Sequence, residues 1–174
     1  MPLTSYTAGD VLTAASLNAN FAVAAGGQKA VFNETQAAGT QSGASVAASF
    51  QKRTLNTTVV NTITGCTLTS SVIALPAGTY TATAFAPFHD SESIKIRLRN
   101  TSDNTDAIMG VTGFSGNEGT FNAVLQGVFT IAATKNFELQ YYVSLGQATN
   151  GLGQRLNVAG IDEVYATIEI VQIA

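Results

Sequence analysis

The stretch from Val72 to Asn100, VIALPAGTYTATAFAPFHDSESIKIRLRN, constrains the fold most, because apolar side chains recur through it with a period of two. In Ser93 to Asn100, Ile94, Ile96 and Leu98 fall on one face and Lys95, Arg97 and Arg99 on the other. That is the pattern of a strand half in water. Thr79 to Ala86 repeats it, setting Tyr80, Ala82, Ala84 and Ala86 against Thr81, Thr83 and Phe85. Pro76-Ala77-Gly78 supplies the turn before it, and a wide polar loop is expected around His89 to Glu92.

Further strands are predicted on both sides of this stretch: Gln28 to Glu34, Phe50 to Ile63, Thr67 to Leu75, Ala107 to Thr112, Phe121 to Ile131, Asn136 to Leu145 and Glu163 to Ile173. Thr35 to Ser49 carries little apolar bulk and reads as a surface excursion. Strands at this spacing with turns between them predict an all-β, antiparallel jelly-roll β-sandwich over residues 28–174. The last strand is apolar on both faces, with Val164, Ala166, Ile168 and Ile170 on one and Tyr165, Val171 and Ile173 on the other. One face meets the core, and either a neighbouring subunit or an internal loop covers the other.

Residues 1–27 have a different character. Thr13 can cap a short helix running to about Ala25, with Leu17 and Phe21 four residues apart on one face. A helix of that length gains its order by packing on something else, either its own domain or a partner. The opening MPLTSYTAGD lacks the basic-then-apolar order of a signal peptide, and no run approaches the ~20 apolar residues of a membrane span.

Only 11% of the 174 residues are charged, and the net charge is -3. A surface of Thr, Ser, Asn, Gln and Gly is cheaper to desolvate than one of ions, which suits contact with copies of the same chain. The acid balance and scattered cations argue against a nucleic-acid partner. Three cations in a row on one strand, Lys95, Arg97 and Arg99, call for carboxylates opposite, with Glu138, Glu163 and Glu169 as candidates. Such pairs would lie across a subunit boundary or on a solvated wall. The expected homotrimer interface comprises Arg97, Arg99, Tyr165, Glu169, Val171 and Ile173.

No catalytic set is expected. His89 is the chain's single histidine, so a two-histidine metal site within one chain is excluded. No Gly-x-Ser-x-Gly elbow or phosphate-cradling Gly-Lys-Ser/Thr loop occurs. Asp162 and Glu163 are adjacent strand residues and point to opposite faces. The single Cys66 reads as a small buried hydrophobe. No enzyme activity, metal or cofactor is expected.

The order Arg53-x-Leu55-Asn56, Leu75-Pro76-Ala77-Gly78-Thr79-Tyr80, Ala86-Pro87, Arg97-Leu98-x-Asn100, Phe137-Glu138-Leu139-Gln140, Ala148-Thr149-Asn150-Gly151-Leu152-Gly153 and Glu163-Val164-Tyr165 resembles a module recurrent in bacteriophage virion structural proteins. Such modules resemble the trimeric jelly rolls of the complement-head and tumour necrosis factor class. The segment Tyr6 to Asn18 is similar to short segments that open phage tail and fibre proteins. The resemblance implies a homotrimeric knob in the virion, assembled in the bacterial host cytoplasm, with Tyr6, Val11, Leu12, Leu17 and Phe21 anchoring it to another protein of the tail or baseplate. It also implies contact with a host-surface glycan or receptor. A capsid decoration or head-fibre protein is the alternative within that class. From a different class, a soluble carbohydrate-binding adhesin would stack sugar on Phe88, Tyr141 or Tyr142, and it requires those rings to be exposed.

Overall fold

In a computed structural model, residues 5–11, 13–14 and 27–173 are described. The helix expected over Thr13 to Ala25 lies almost wholly outside them, as do Leu12, Leu17 and Phe21. Among the described residues twelve strands run in chain order: β1 (Gln28–Gln36), β2 (Gln51–Lys52), β3 (Thr57–Asn61), β4 (Thr67–Thr69), β5 (Val72–Leu75), β6 (Gly78–His89), β7 (Glu92–Asn100), β8 (Thr105–Met109), β9 (Gly113–Ser115), β10 (Thr120–Ile131), β11 (Lys135–Val143) and β12 (Glu163–Gln172). One sheet has the order β10-β6-β12-β1-β3. The other has β4-β5-β11-β7-β8, with β2 beside β11 and β9 beside β7.

The paired registers are antiparallel throughout, and the alternation read from the sequence decides which side of each strand meets the core. Tyr80, Ala82, Ala84, Ala86 and Phe88 of β6 point inward, against Ile94, Ile96 and Leu98 of β7 and Phe137, Leu139 and Tyr141 of β11. Small alanines on one layer leave room for the large side chains of the other. Rings cross between the sheets: Phe129 lies 5.1 Å from Phe137, and Phe88 5.6 Å from Tyr141. Each fully buried Ile, Leu or Phe contributes roughly 1.5–3 kcal/mol of transfer free energy.

Three local features differ from expectation. The strand expected over Thr67 to Leu75 is a hairpin, β4 and β5 reversing at Ser70 and Ser71, with φ of 50° and 63°. Two positive-φ residues make the primed turn that matches strand twist, a role usually given to Asn-Gly, so the Ser-Ser pair gave no signal. The wide polar loop at His89 to Glu92 is instead a tight connection, since β6 runs through His89 and β7 begins at Glu92. His89 and Ser91 are buried there, and Ser91 Oγ donates to the His89 and Gly151 carbonyls at 3.0 and 3.2 Å.

The third is Arg53, a cation in a stretch that the sequence reads simply as a strand. It is fully buried between the sheets, its Nε 2.7 Å from the equally buried Glu34 carboxylate. Its Nη2 donates to the carbonyls of Tyr165 (2.7 Å) and Leu152 (3.2 Å). Tyr165 is the extra residue of a bulge, for Glu34 pairs with Ala166 and Thr35 with Val164. A bulge takes backbone groups out of the ladder, and Arg53 satisfies the carbonyl so displaced. Burial disfavours the Arg53 cation, and the Glu34 carboxylate opposes that effect.

Candidate functional site

The outer face of the β10-β6-β12-β1-β3 sheet is built from the side chains that the core alternation turns away. On β6 these are Thr79, Thr81, Thr83, Phe85 and Pro87; on β10, Asn122, Val124, Gln126, Val128 and Thr130. Cross-strand pairing sets Val124 beside Phe85, Gln126 beside Thr83 and Val128 beside Thr81. On the far side of β6, Thr167 lies beside Phe85, Glu169 beside Thr83 and Val171 beside Thr81. Lys29, Val31 and Asn33 of β1 extend the rows. Lys29 and Glu169 are the charged residues among these positions. Val128, Val164 and Phe85 keep 62%, 52% and 47% of their surface exposed. These exposed apolar groups stand among threonine and valine on a face with two charged positions.

A depression of about 280 Å³ opens on this face, bounded by Phe85, Pro87, Asn122, Val164, Tyr165 and Thr167. Its cause is local. The β6–β12 ladder ends at the Phe85–Thr167 pair, and Pro87 has no N–H to carry it further. The bulge at Tyr165 then swings β12 away from β6 and turns Val164 outward.

The outer face of the other sheet is charged. Arg97 and Arg99 both reach the Asp106 carboxylate, at 3.1 and 2.8 Å, and Arg99 also bonds Asn104. Arg97 donates twice to Gln140 Oε1, at 2.9 and 2.7 Å, and its guanidinium lies 3.6 Å from the centre of the Phe50 ring. Lys52 sits 3.5 Å from Glu138, and Lys135 2.6 Å from Asp103. Of the carboxylates expected opposite the cation row, Glu138 does stand across from Arg99, Glu163 is taken up by loop amides, and the ion pairs of Arg97 and Arg99 go to Asp106, which was not foreseen. Asp106 comes from the β7–β8 hairpin, Glu138 pairs with Lys52, and Glu169 lies on the opposite sheet.

The residues predicted for one trimer interface are thus divided. Arg97 and Arg99 stand on the charged wall, whereas Glu169 and Val171 stand on the threonine and valine face, with Ile173 half-exposed at its end. Tyr165 is buried, its hydroxyl donating to the Thr40 carbonyl at 2.6 Å, and burial pushes the phenol up to about 12. Phe85, Pro87, Asn122, Val128 and Val164, which share the threonine and valine face, were not singled out from the sequence. Phe85 could have been found, since an aromatic on the solvent side of a clean alternation asks for cover.

Phe88 and Tyr141, two rings named for sugar stacking, are core residues, and Tyr142 is half-buried with its ring 5.6 Å from Phe50. Stacking needs an exposed ring face, so burial removes Phe88 and Tyr141 from that role. In the N-terminal segment, Asp10 accepts from the Thr7 amide at 2.7 Å and closes a turn; the donors hold its carboxyl below the usual range. Val11 is 84% exposed and Tyr6 half-buried. Cys66 is buried, which pushes its thiol up to about 11. Among the described residues no three His, Cys, Asp or Glu side chains converge, and no helix is long and apolar enough to cross a membrane.

No protein family and no curated protein matches the sequence. Solved structures do match. The globular domain of zebrafish complement 1qA protein shares 14% identity, over 86% of this chain and 97% of that one, at a TM-score of 0.51. The fold is a complement-head and tumour-necrosis-factor jelly roll. Eiger TNF from S. frugiperda is similar at 15% identity, 86% and 94% coverage and a TM-score of 0.57. Murine APRIL is similar at 8% identity, 84% and 98% coverage and a TM-score of 0.56. At such identities the jelly-roll likeness is one of fold.

Proposed function

We propose that this chain is a non-enzymatic structural knob of a bacteriophage virion: a homotrimer closed through the outer face of the β10-β6-β12-β1-β3 sheet and attached to the tail or baseplate by residues 1–27. The observation that carries the trimer is that face, where Phe85, Val128 and Val164 are exposed among threonines and only Lys29 and Glu169 carry charge. Threonine and valine are cheap to desolvate, so copies can close on one another without stranding ions. The virion reading draws its support from the ordered module motifs and from the Tyr6 to Asn18 segment.

The fold separates two ends. β1 starts beside the end of β12, with Gln28 opposite Gln172, and finishes with Gln36 opposite Glu163. Its nine residues span about 30 Å. The N-terminal segment therefore enters at one end, and the loops after β1, β6, β9 and β11 gather at the other, where a knob meets its surroundings.

Sedimentation equilibrium should give about three times the 18.0 kDa chain mass; a single-chain mass at all concentrations overturns the trimer. Immunogold labelling of purified particles with an antibody against residues 28–174 should place gold at the tail end. Gold over the head would replace the tail role with capsid decoration, and unlabelled particles would remove the virion role.

A further inference from the structure

We propose that residues 41–48 form a strap, latched by the Ser45 hydroxyl, that ties the loops after β1, β6 and β11 into one body when shut and opens by itself while the sandwich stays folded. The device lies within a single chain, so it goes beyond the trimer and virion readings and does not depend on them.

The excursion between β1 and β2 is closed at its base without help from the strap. Glu34 and Arg53 stand at its two ends and meet in the buried pair at 2.7 Å, and the Arg53 amide donates to the Leu139 carbonyl at 2.8 Å. The first residues beyond β1 are pinned as well. The Tyr165 hydroxyl donates to the Thr40 carbonyl at 2.6 Å, Arg155 Nη1 to the Gly39 carbonyl at 2.8 Å, and the Gly39 amide to the Glu163 carboxylate at 3.3 Å. Past Thr40 the hold changes in kind. The hydrophobic core takes none of residues 35–54, so apolar burial does little to fasten the strap. Hydrogen bonds fasten it instead: the amides of Gly43, Ser45 and Ala48 donate to the carbonyls of Thr149 (3.1 Å), Gln147 (2.9 Å) and Val143 (3.0 Å). The Val46 amide donates to the Tyr141 hydroxyl at 3.3 Å. Near the strap's two ends Gly43 has φ 101° and Ala48 φ 63°. A side chain is strained in that region, so Ala48 gains on opening.

The latch is one hydroxyl in a close seat. Ser45 Oγ accepts from the Gln147 amide at 3.0 Å and lies 3.3 Å from Ser91 Oγ. Ser91 turns its own proton to the carbonyls of His89 and Gly151, so Ser45 donates to it. The chain Gln147–Ser45–Ser91–Gly151 thus crosses three loops through one buried side chain. Glycine makes room for it: a Cβ on Gly151 would run into the Ser45 hydroxyl, and one on Gly146 would lie 2.9 Å from the Ser45 carbonyl. The small residues of Thr35 to Ser49 are what such a seat requires. With the latch shut, the end away from the N-terminal segment is one surface; with it open, that end can reshape while both sheets keep their registers.

The test is native-state hydrogen exchange on the full chain, followed across urea concentrations too low to unfold it. The amides of Gly43, Ser45, Val46, Ala48 and Gln147 should exchange as one group, faster than those of β6, β7 and β11. Their rates should depend little on urea, because a local opening exposes little surface. Ser45→Ala removes both latch bonds and should speed that group about tenfold while β6 and β7 stay as they were. Gly151→Ala, which sets a methyl against the hydroxyl, should free the same amides. Strap amides that exchange only together with the sheet amides, at the same urea slope, overturn the independent opening. A group that opens locally but keeps its rate in both variants overturns the latch.

Discussion

The two outer faces of this sandwich are made by the same kind of strand and differ in what they turn outward. β6 buries Tyr80, Ala82, Ala84 and Ala86 and exposes threonines and Phe85, while β7 buries Ile94, Ile96 and Leu98 and presents Lys95, Arg97 and Arg99. Inward residues decide the fold, and both strands serve it equally well. Outward residues decide whether a face can leave water. Taking a paired cation and carboxylate into an interface costs several kcal/mol per ion before their attraction is regained. The threonine and valine face carries almost none of that penalty. Of the chain's eight Lys and Arg residues, Lys52, Lys95, Arg97, Arg99 and Lys135 belong to the charged sheet, which keeps that wall in solvent.

Fold and assembly should therefore separate under mutation. The largest loss of stability is expected in the core, where Glu34→Gln leaves the Arg53 cation buried without its carboxylate. Breaking a buried pair by removing one partner costs about 3–5 kcal/mol, so the urea midpoint should drop sharply and assembly should fail along with the fold. A midpoint near wild type would mean that the guanidinium is sustained by the Leu152 and Tyr165 carbonyls alone. Phe85→Asp should act on assembly only. The ring is half-exposed, so the single-chain fold survives, but three carboxylates would enter the contact and the sedimenting mass should fall from about three chains to one. If the mass holds, the face is merely a second solvated wall.

How much of this could be read beforehand follows from which physical effects are local. The strands of β6, β7 and β11 were legible because burial imposes a period of two on neighbouring residues. The Ser70-Ser71 reversal was not, because serine carries no steric signature of positive φ. The burial of Arg53 was not legible: its partner Glu34 comes from another strand, and its Tyr165 carbonyl acceptor is freed by the bulge in β12. The outer face of the β12 sheet was half legible. Val171 was placed on the outward side by the double-sided pattern of the last strand, but the same pattern set Val164 inward and Tyr165 outward, an order that the bulge reverses. Phe85 and Val128 were read as strand residues without regard to what their outward side implied, and the depression depends on where a ladder ends, which only pairing reveals.

The charged wall offers the smaller effects. Arg97→Ala removes the contact with Asp106, worth about 0–1 kcal/mol at an exposed site, the two hydrogen bonds to Gln140, and the cation–π contact with Phe50, worth roughly 0.5–1 kcal/mol. Melting should shift slightly and the trimer mass not at all; dissociation of this variant would put the wall back into the interface. A double-mutant cycle with Phe50→Ala isolates the ring contact from the ion pair.

Salt sharpens the contrast without any mutation. At about 1 M the Debye length falls to roughly 3 Å, and exposed ion pairs are largely screened. The wall pairs of Arg97, Arg99, Lys52 and Lys135 have side chains still partly in contact with water, so single-chain stability should decline by a fraction of a kcal/mol per pair. The contact face gains nothing from charge, and its association should hold or tighten when the added salt is a sulfate, which is excluded from protein surface and strengthens apolar burial. A trimer that dissociates as ionic strength rises would show that charge closes it. The interface would then have to be sought on the β7 side, where Arg97 and Arg99 stand.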